Sequence, residues 1–186
     1  MNSMFVRLLD FIVAFFGLIC ASPFLLVVVI IGYFDTGSPV FTQKRVGKNQ
    51  KPFTLIKFRT MSLDTKSVAS HLASTASITK IGGFLRKTKI DELPQLINVL
   101  KGEMSLVGPR PCLFNQEELI EERKSRDVFD VLPGITGLAQ VNKIDMSTPK
   151  LLAEWDQRMI KGFSLAEYFK YILMTATGKG GGDRVK

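Results

Sequence analysis

The sequence predicts an α+β fold, mostly helical with a small β-hairpin or sheet, attached to an N-terminal membrane segment. Three observations carry that expectation. Residues 11–34, FIVAFFGLICASPFLLVVVIIGYF, are 24 residues without a charge. Residues 39–61 hold two β-rich runs around the polar, Gly- and Pro-containing loop Gly47–Pro52, the pattern of a hairpin. The remainder reads as helices and turns, without the strand–helix alternation that builds a doubly wound sheet. Of the 186 residues 46% are apolar, which excludes a disordered chain. Two cysteines and one histidine exclude a disulfide scaffold and a site of several imidazoles.

The apolar segment comes first. At about 1.5 Å per residue its helix is roughly 36 Å long, enough for a hydrocarbon core of about 30 Å. It is too long for a signal peptide, and the preceding MNSMFVRLLD has one basic residue and one acid. Ser22-Pro23 lies near the midpoint. Pro23 has no N–H and its ring displaces the Ile19 carbonyl from its partner, a group the Ser22 hydroxyl can help to satisfy. Two courses are open: a kinked span, or a break at Ser22-Pro23 and a return to the same face. Residues 11–21 reach only about 16 Å, roughly half the hydrocarbon thickness. Physical chemistry alone favours the kinked span.

Charge placement orients the segment. The chain carries a net +8, and residues 36–90 hold eleven Lys/Arg against Asp64 alone. Lys44, Arg45, Lys48, Lys51, Lys57 and Arg59 follow the apolar run closely enough to keep the body cytoplasmic, beside anionic headgroups. A nucleic-acid partner is not expected: the positive stretch adjoins a membrane segment, and no recognition helix or finger motif accompanies it.

In the second run of the hairpin, period-two alternation puts Lys57 and Arg59 on one face. Residues 62–81, which include the single His71, read as a loop with some helix, and His71 as exposed rather than catalytic. Gly82-Gly83 is expected to break what precedes it. Leu93, Leu96, Ile97 and Leu100 then fall at helical spacing, with Pro94 in the first turn and Gly102 as the stop. Asp91 and Glu92 therefore stand at or just before a helix start.

Acids at a helix start usually cap free N–H groups and suit the dipole. Here Arg86, Lys87 and Lys89 precede them, and Arg110 follows in the Gly/Pro-framed turn GPRP. Clustered cations at a helix start make an anion site. Carboxylates would repel that anion unless a cation bridged them, and Mg²⁺ held by one or two carboxylates and substrate phosphates is the ordinary solution. A phosphate-handling, Mg²⁺-assisted enzyme follows as an expectation.

Residues 115–127, NQEELIEERKSRD, read as a charged, exposed helix. In LPGITGLAQVN, residues 132–142, Gln140 and Asn142 are placed to project amides from one face, with a turn into a buried strand or helix as the alternative. Residues 149–176 read as two helices around Gly162. The second has Ser164 as its cap and Glu167 at N3. Its Phe163, Leu165, Phe169, Ile172 and Leu173 suit an interfacial amphipathic helix or core packing.

SPFLL at 22–26, FTQKRVGKNQKPFTLIKFRTM at 41–61, GGFLRKTKIDELPQLINVLKGEMSLVGPRP at 82–111 and PGITGLAQVN at 133–142 together resemble the bacterial sugar transferase family, the monotopic phosphoglycosyl transferases. The resemblance covers about residues 5–175, with the motifs in the family's order. The short chain is similar to the minimal form without an extra membrane-spanning domain. That form includes the enzymes that begin lipid-linked oligosaccharide assembly, among them those of protein N-glycosylation that use UDP-N,N′-diacetylbacillosamine.

The resemblance implies a re-entrant helix over 1–35, broken at Ser22-Pro23, which reverses the preference for a span. It implies a cytoplasmic catalytic domain over 36–177 and a flexible tail over 178–186. Location would be the bacterial inner membrane, monotopic, with both termini cytoplasmic. Implied substrates are a UDP-sugar of diacetamido type and polyprenyl (undecaprenyl) phosphate, with polyprenyl-diphospho-sugar and UMP as products, Mg²⁺ as cofactor and downstream glycosyltransferases as partners. Asp91 becomes the nucleophile of a covalent aspartyl-phosphosugar route, and Glu92 joins it in holding the metal. Arg86 and Arg110 would bind phosphate, Lys57 and Arg59 a diphosphate or lipid headgroup, and Gln140 and Asn142 nucleotide or sugar. Two alternatives stand beside this: single displacement with Asp91 only a metal ligand, and a non-catalytic membrane-anchored adaptor.

Overall fold

In the computed structural model of the protein, residues 3–65 and 77–178 are described. His71, most of the 62–81 loop, and the expected tail beyond Gly178 lie outside the described residues.

Helix α1 runs from Met4 to Thr36. Ser3 caps it, its hydroxyl accepting the Val6 N–H at 3.2 Å. Gly37 closes it at φ +72°, a left-handed conformation that a glycine adopts without a Cβ clash. The expected break at Ser22-Pro23 is absent, and the helix is continuous through both residues. The reason is local. Pro23 leaves the Ile19 carbonyl without its usual partner, and the Ser22 hydroxyl donates to that same carbonyl at 2.8 Å.

One face of α1 is covered along both halves. Val6 and Ala14 join the main core with Val99, Met104 and Tyr168. Val28 packs with Phe58 and Leu85 in a second cluster. The other faces expose large apolar side chains, among them Phe5, Phe11, Phe16, Ile19, Phe24 and Leu26.

Polar contacts fasten both ends of α1 to the body. Near the start, Arg7 donates to the Val99 and Met104 carbonyls at 2.5 and 3.0 Å. Asp10, fully buried, accepts from the Leu106 N–H at 3.0 Å and the Tyr168 hydroxyl at 2.7 Å. Near the end, the Thr79 hydroxyl donates to Asp35 at 2.6 Å. Burial raises the Tyr168 phenol well above its ordinary pKa, and the hydrogen bond to Asp10 adds to the shift. Tyr168→Phe is expected to leave Asp10 with one partner fewer and to cost about 1–2 kcal/mol. Thermal unfolding in detergent would read this as a midpoint lower by a few degrees.

Strands β1 (Val40–Val46) and β2 (Pro52–Phe58) form the expected antiparallel hairpin. A 3-10 turn over Lys48–Gln50 joins them. Helix α2, Lys80–Thr88, is capped by Thr79. Gly82 and Gly83 lie inside it rather than breaking the chain before it. A Cβ on Gly82 would stand 2.1 Å from the Thr60 carbonyl oxygen, so close approach to the segment after β2 is what requires glycine there.

Helix α3 (Gln95–Lys101) ends at Gly102, φ +82°, where the sequence put its stop. Strands β3 (Ser105–Val107) and β4 (Gly134–Thr136) form a second, parallel pair; β4 matches the buried strand offered as an alternative for 132–142, whereas β3 and the pairing have no counterpart in the sequence reading. Helix α4 (Glu117–Lys124) and the short α5 (Leu138–Val141) flank β4, and α6 (Pro149–Lys161) packs on both. Helix α4 is not uniformly exposed: Leu119 and Arg123 point inward, each 1% exposed. Helix α7 (Leu165–Ala176) is capped by Ser164 as expected. It is two-sided. Tyr168 and Tyr171 are buried, while Leu165, Phe169 and Leu173 face outward.

Candidate active site

Asp91 and Glu92 sit in a 3-10 turn over Ile90–Glu92, directly before α3 and packed against β2. Lys89 opens the turn at φ +60°, a left-handed conformation that reverses the chain out of α2. Position N-cap of α3 is Pro94, which makes no side-chain hydrogen bond, so neither acid is used as that helix's cap. Both carboxylates are nevertheless withdrawn from water, Asp91 at 4% and Glu92 at 6% exposure. Buried carboxylates need cationic or hydrogen-bonding partners to stay charged.

Arg110 supplies one. Its Nη2 is 2.6 Å from Glu92 Oε1. Lys89 is partly buried in the same field. Burial pushes its ammonium below the ordinary pKa, Glu92 pulls it back up, Arg110 pushes it down again and Asp91 pulls it up. Two carboxylates and two cations thus share one small volume. No group of three His, Cys, Asp or Glu side chains occurs among the described residues. An adjacent Asp-Glu pair does suit Mg²⁺, which takes one or two carboxylates and completes its shell with water and substrate phosphate.

The segment that carries Arg110 is held at four successive carbonyls. Pro109 accepts from the Gly134 N–H at 2.9 Å, and Arg110 from Arg123 Nη1 at 2.8 Å. Pro111 accepts from Arg45 Nη1 at 3.1 Å, and Cys112 from the Val46 N–H at 2.9 Å. Strands β3 and β4 bring Gly108 and Gly134 so close that a Cβ on Gly134 would lie 2.0 Å from the Gly108 nitrogen. Four hydrogen bonds thus tie this Gly/Pro-framed segment to its neighbours.

Arg123 and Asp156 lie beneath this segment and were not singled out in the sequence. Arg123 Nε and Nη2 both donate to Asp156 Oδ2, at 3.0 and 2.7 Å. Each side chain is 2% exposed. Burial works against the guanidinium charge, and the Asp156 carboxylate overcomes it, holding the Arg123 pKa above its ordinary value.

The remaining sequence-predicted residues are placed as follows. Arg86, in the last turn of α2, donates from Nε to Thr60 at 2.8 Å. Lys57 and Arg59 do share a face, standing 5.6 and 5.4 Å from the Phe41 ring centre. Arg59 also donates to the Ser38 carbonyl at 2.8 Å, where α1 passes into β1. Gln140 is buried and donates to the Ile135 carbonyl at 2.8 Å. Asn142 turns back to the Leu138 carbonyl at 2.8 Å. Both amides are therefore engaged by the backbone of their own turn.

The sequence profile of the bacterial sugar transferase family matches residues 1–179. The chain is 48% identical over 137 residues to the uncharacterized sugar transferase EpsL of Bacillus subtilis (strain 168), which covers 73% of this chain and 67% of that protein. It is 39% identical over 186 residues to the UDP-glucose:undecaprenyl-phosphate glucose-1-phosphate transferase of Klebsiella pneumoniae, across 94% of this chain and 40% of that protein. It is 35% identical over 195 residues to the UDP-N-acetylgalactosamine-undecaprenyl-phosphate N-acetylgalactosaminephosphotransferase of Aeromonas hydrophila, across 94% and 44%. The chain thus spans less than half the length of the last two relatives. A profile match over residues 1–179 of the 186 shows that this chain belongs to the bacterial sugar transferase family.

Proposed function

We propose that the protein moves a sugar 1-phosphate from a UDP-sugar to polyprenyl phosphate at the membrane, releasing UMP and leaving a polyprenyl-diphospho-sugar. The observation that carries this reading is the buried Asp91-Glu92 pair held against Arg110 and Lys89, on a body fastened to a long apolar helix.

Asp91 attacks the sugar-bearing phosphorus of the donor. The bond to the bridging oxygen breaks, and UMP leaves with that electron pair. An aspartyl-phosphosugar remains. An oxygen of the polyprenyl phosphate then attacks the same phosphorus and releases the Asp91 carboxylate. Arg110, 2.6 Å from Glu92, is proposed to bind phosphate oxygens through its planar guanidinium. Arg86 is proposed to contact the phosphates from the end of α2. Lys57 and Arg59 are proposed for the diphosphate or a lipid headgroup. A nucleotide or sugar contact from Gln140 or Asn142 would require those amides to leave the Ile135 and Leu138 carbonyls. Mg²⁺, held by Asp91 and Glu92, would offset the repulsion between carboxylate and diphosphate.

The membrane arrangement proposed is monotopic, in the bacterial inner membrane with both termini on the cytoplasmic side. Support comes from the two ends of α1. Arg7 and Asp10 at one end and Asp35 at the other bond to the same body. From Asp10 to Asp35 the helix rises about 37 Å. A helix crossing the bilayer at that length would put its two ends on opposite sides of about 30 Å of hydrocarbon, and one set of bonds would be lost.

The test is the intact mass of the detergent-purified protein after incubation with Mg²⁺ and single UDP-sugars, without lipid. Two of the three relatives are named for UDP-glucose and UDP-N-acetylgalactosamine, so the panel holds both, with the diacetamido donor UDP-N,N′-diacetylbacillosamine beside them. The expected result is a gain of one sugar phosphate with release of UMP. Turnover on adding undecaprenyl phosphate, with no adduct before it, would replace the covalent route by single displacement. Neither adduct nor turnover with any donor would overturn the enzyme reading.

A further inference from the structure

An open cleft of about 260 Å³ lies between the 88–96 segment and α7. Leu93, Leu96, Leu106, Ile135 and Ile172 line it. Its polar residues are Thr88, Lys89 and Glu92, close in the chain, and Thr136 and Thr175, whose hydroxyls pair at 2.5 Å. It is smaller than the roughly 300–1,000 Å³ typical of pockets that enclose a whole small molecule. A segment of chain, rather than a complete ligand, fits that volume.

The lining decides what kind of segment. A nucleotide or a sugar needs aromatic faces and several hydrogen-bonding groups, and this surface offers neither over most of its extent. Its chemistry matches an aliphatic chain. The cleft also adjoins exposed apolar surface. On α7, Phe169 and Leu173 are 51% and 65% exposed, immediately beside Ile172. On the other wall, Leu96 reaches α1 at Gly17, within 3.5 Å of where a Cβ there would lie. Left to water, such a surface is costly.

Resting on the transferase reading above, we propose that this cleft seats the first isoprene units of the acceptor lipid, with Lys89 taking the acceptor phosphate beside Glu92. The arrangement separates the two substrates. The lipid approaches the carboxylates along α7 from the membrane side, and the water-soluble nucleotide comes to them from the Arg110 side.

The test uses the full chain in detergent and farnesyl phosphate carrying a diazirine on its second isoprene unit. On irradiation, labels are expected in the peptides covering 88–96 and 172–176. Excess undecaprenyl phosphate should suppress them, and dioleoyl phosphatidic acid, a phospholipid with the same headgroup chemistry, should not. Ala176→Trp, at the exposed lip, is expected to weaken labelling about tenfold by filling the cleft. Ala176→Asp tests the same lip by polarity should the larger side chain impair folding. Labels confined to the exposed face of α1, or equal suppression by phosphatidic acid, would overturn the assignment. The enzyme reading fails separately. Turnover of a UDP-sugar with labels elsewhere removes the cleft and keeps the enzyme, whereas a labelled cleft with no turnover on any donor does the reverse.

Discussion

Asp91→Asn is expected to abolish turnover, by about a thousandfold or more, while the protein still inserts in membranes and melts near the wild-type temperature. Asparagine has the shape of aspartate, and the Glu92–Arg110 ion pair does not involve residue 91. What is lost is the nucleophile, because an amide oxygen will not displace UMP from phosphorus. The same substitution separates the two mechanisms. In single displacement Asp91 is only a metal ligand, and an asparagine oxygen can still ligate, so substantial activity survives. In the covalent route the intact-mass adduct disappears along with turnover. Initial rates against both substrates give an independent reading: parallel double-reciprocal lines for the covalent route, intersecting lines for single displacement.

The parts of this molecule that sequence makes legible are those set by local chemistry. The 24-residue apolar run, the hairpin around Gly47–Pro52, the Gly102 stop and the Ser164 cap each follow from residues close in the chain. The proximity of Glu92 and Arg110, 18 residues apart, was foreshadowed by a charge argument and by the family motifs. What escaped depends on distant partners. Gly82 reads as a breaker until the Thr60 carbonyl is seen beside it. At Pro23 the local reading, a span with the Ser22 hydroxyl helping the Ile19 carbonyl, agrees with the continuous helix, and it was the family resemblance that implied a break. Strands β3 and β4 have three residues each, too few for any periodicity, and their pairing joins Ser105 to Gly134. Arg123 was hidden in a run of eight charges in thirteen residues, NQEELIEERKSRD. One signal was available: Leu119 and Arg123 are four apart, so the arginine shares a helix face with one of that segment's two apolar residues.

That arginine carries the second large effect. Arg123→Met is expected to destabilise the protein by about 3–5 kcal/mol, because Asp156 would remain buried without a counter-charge. For a chain of this size the unfolding midpoint falls by roughly 10 °C. The double substitution Arg123→Met/Asp156→Leu removes both charges and should recover most of that loss, since well-packed apolar pairs replace buried ion pairs at little cost. Activity is expected to behave differently. Arg123 also donates to the Arg110 carbonyl, and no substitution at 156 restores that bond. The Arg110 segment would keep its anchors at Gly134, Arg45 and Val46 but lose the one on Arg110 itself. A displacement of about 1 Å at a phosphate-binding side chain can cost about a hundredfold in rate. Melting curves and kcat/KM measured on wild type, single and double variants separate the two contributions. Turnover that recovers in step with the midpoint would reduce Arg123 to half of an ion pair. Turnover that stays low in a restabilised double variant makes it a positioning residue, whose hydrogen bond to one backbone carbonyl fixes where Arg110 meets the anion.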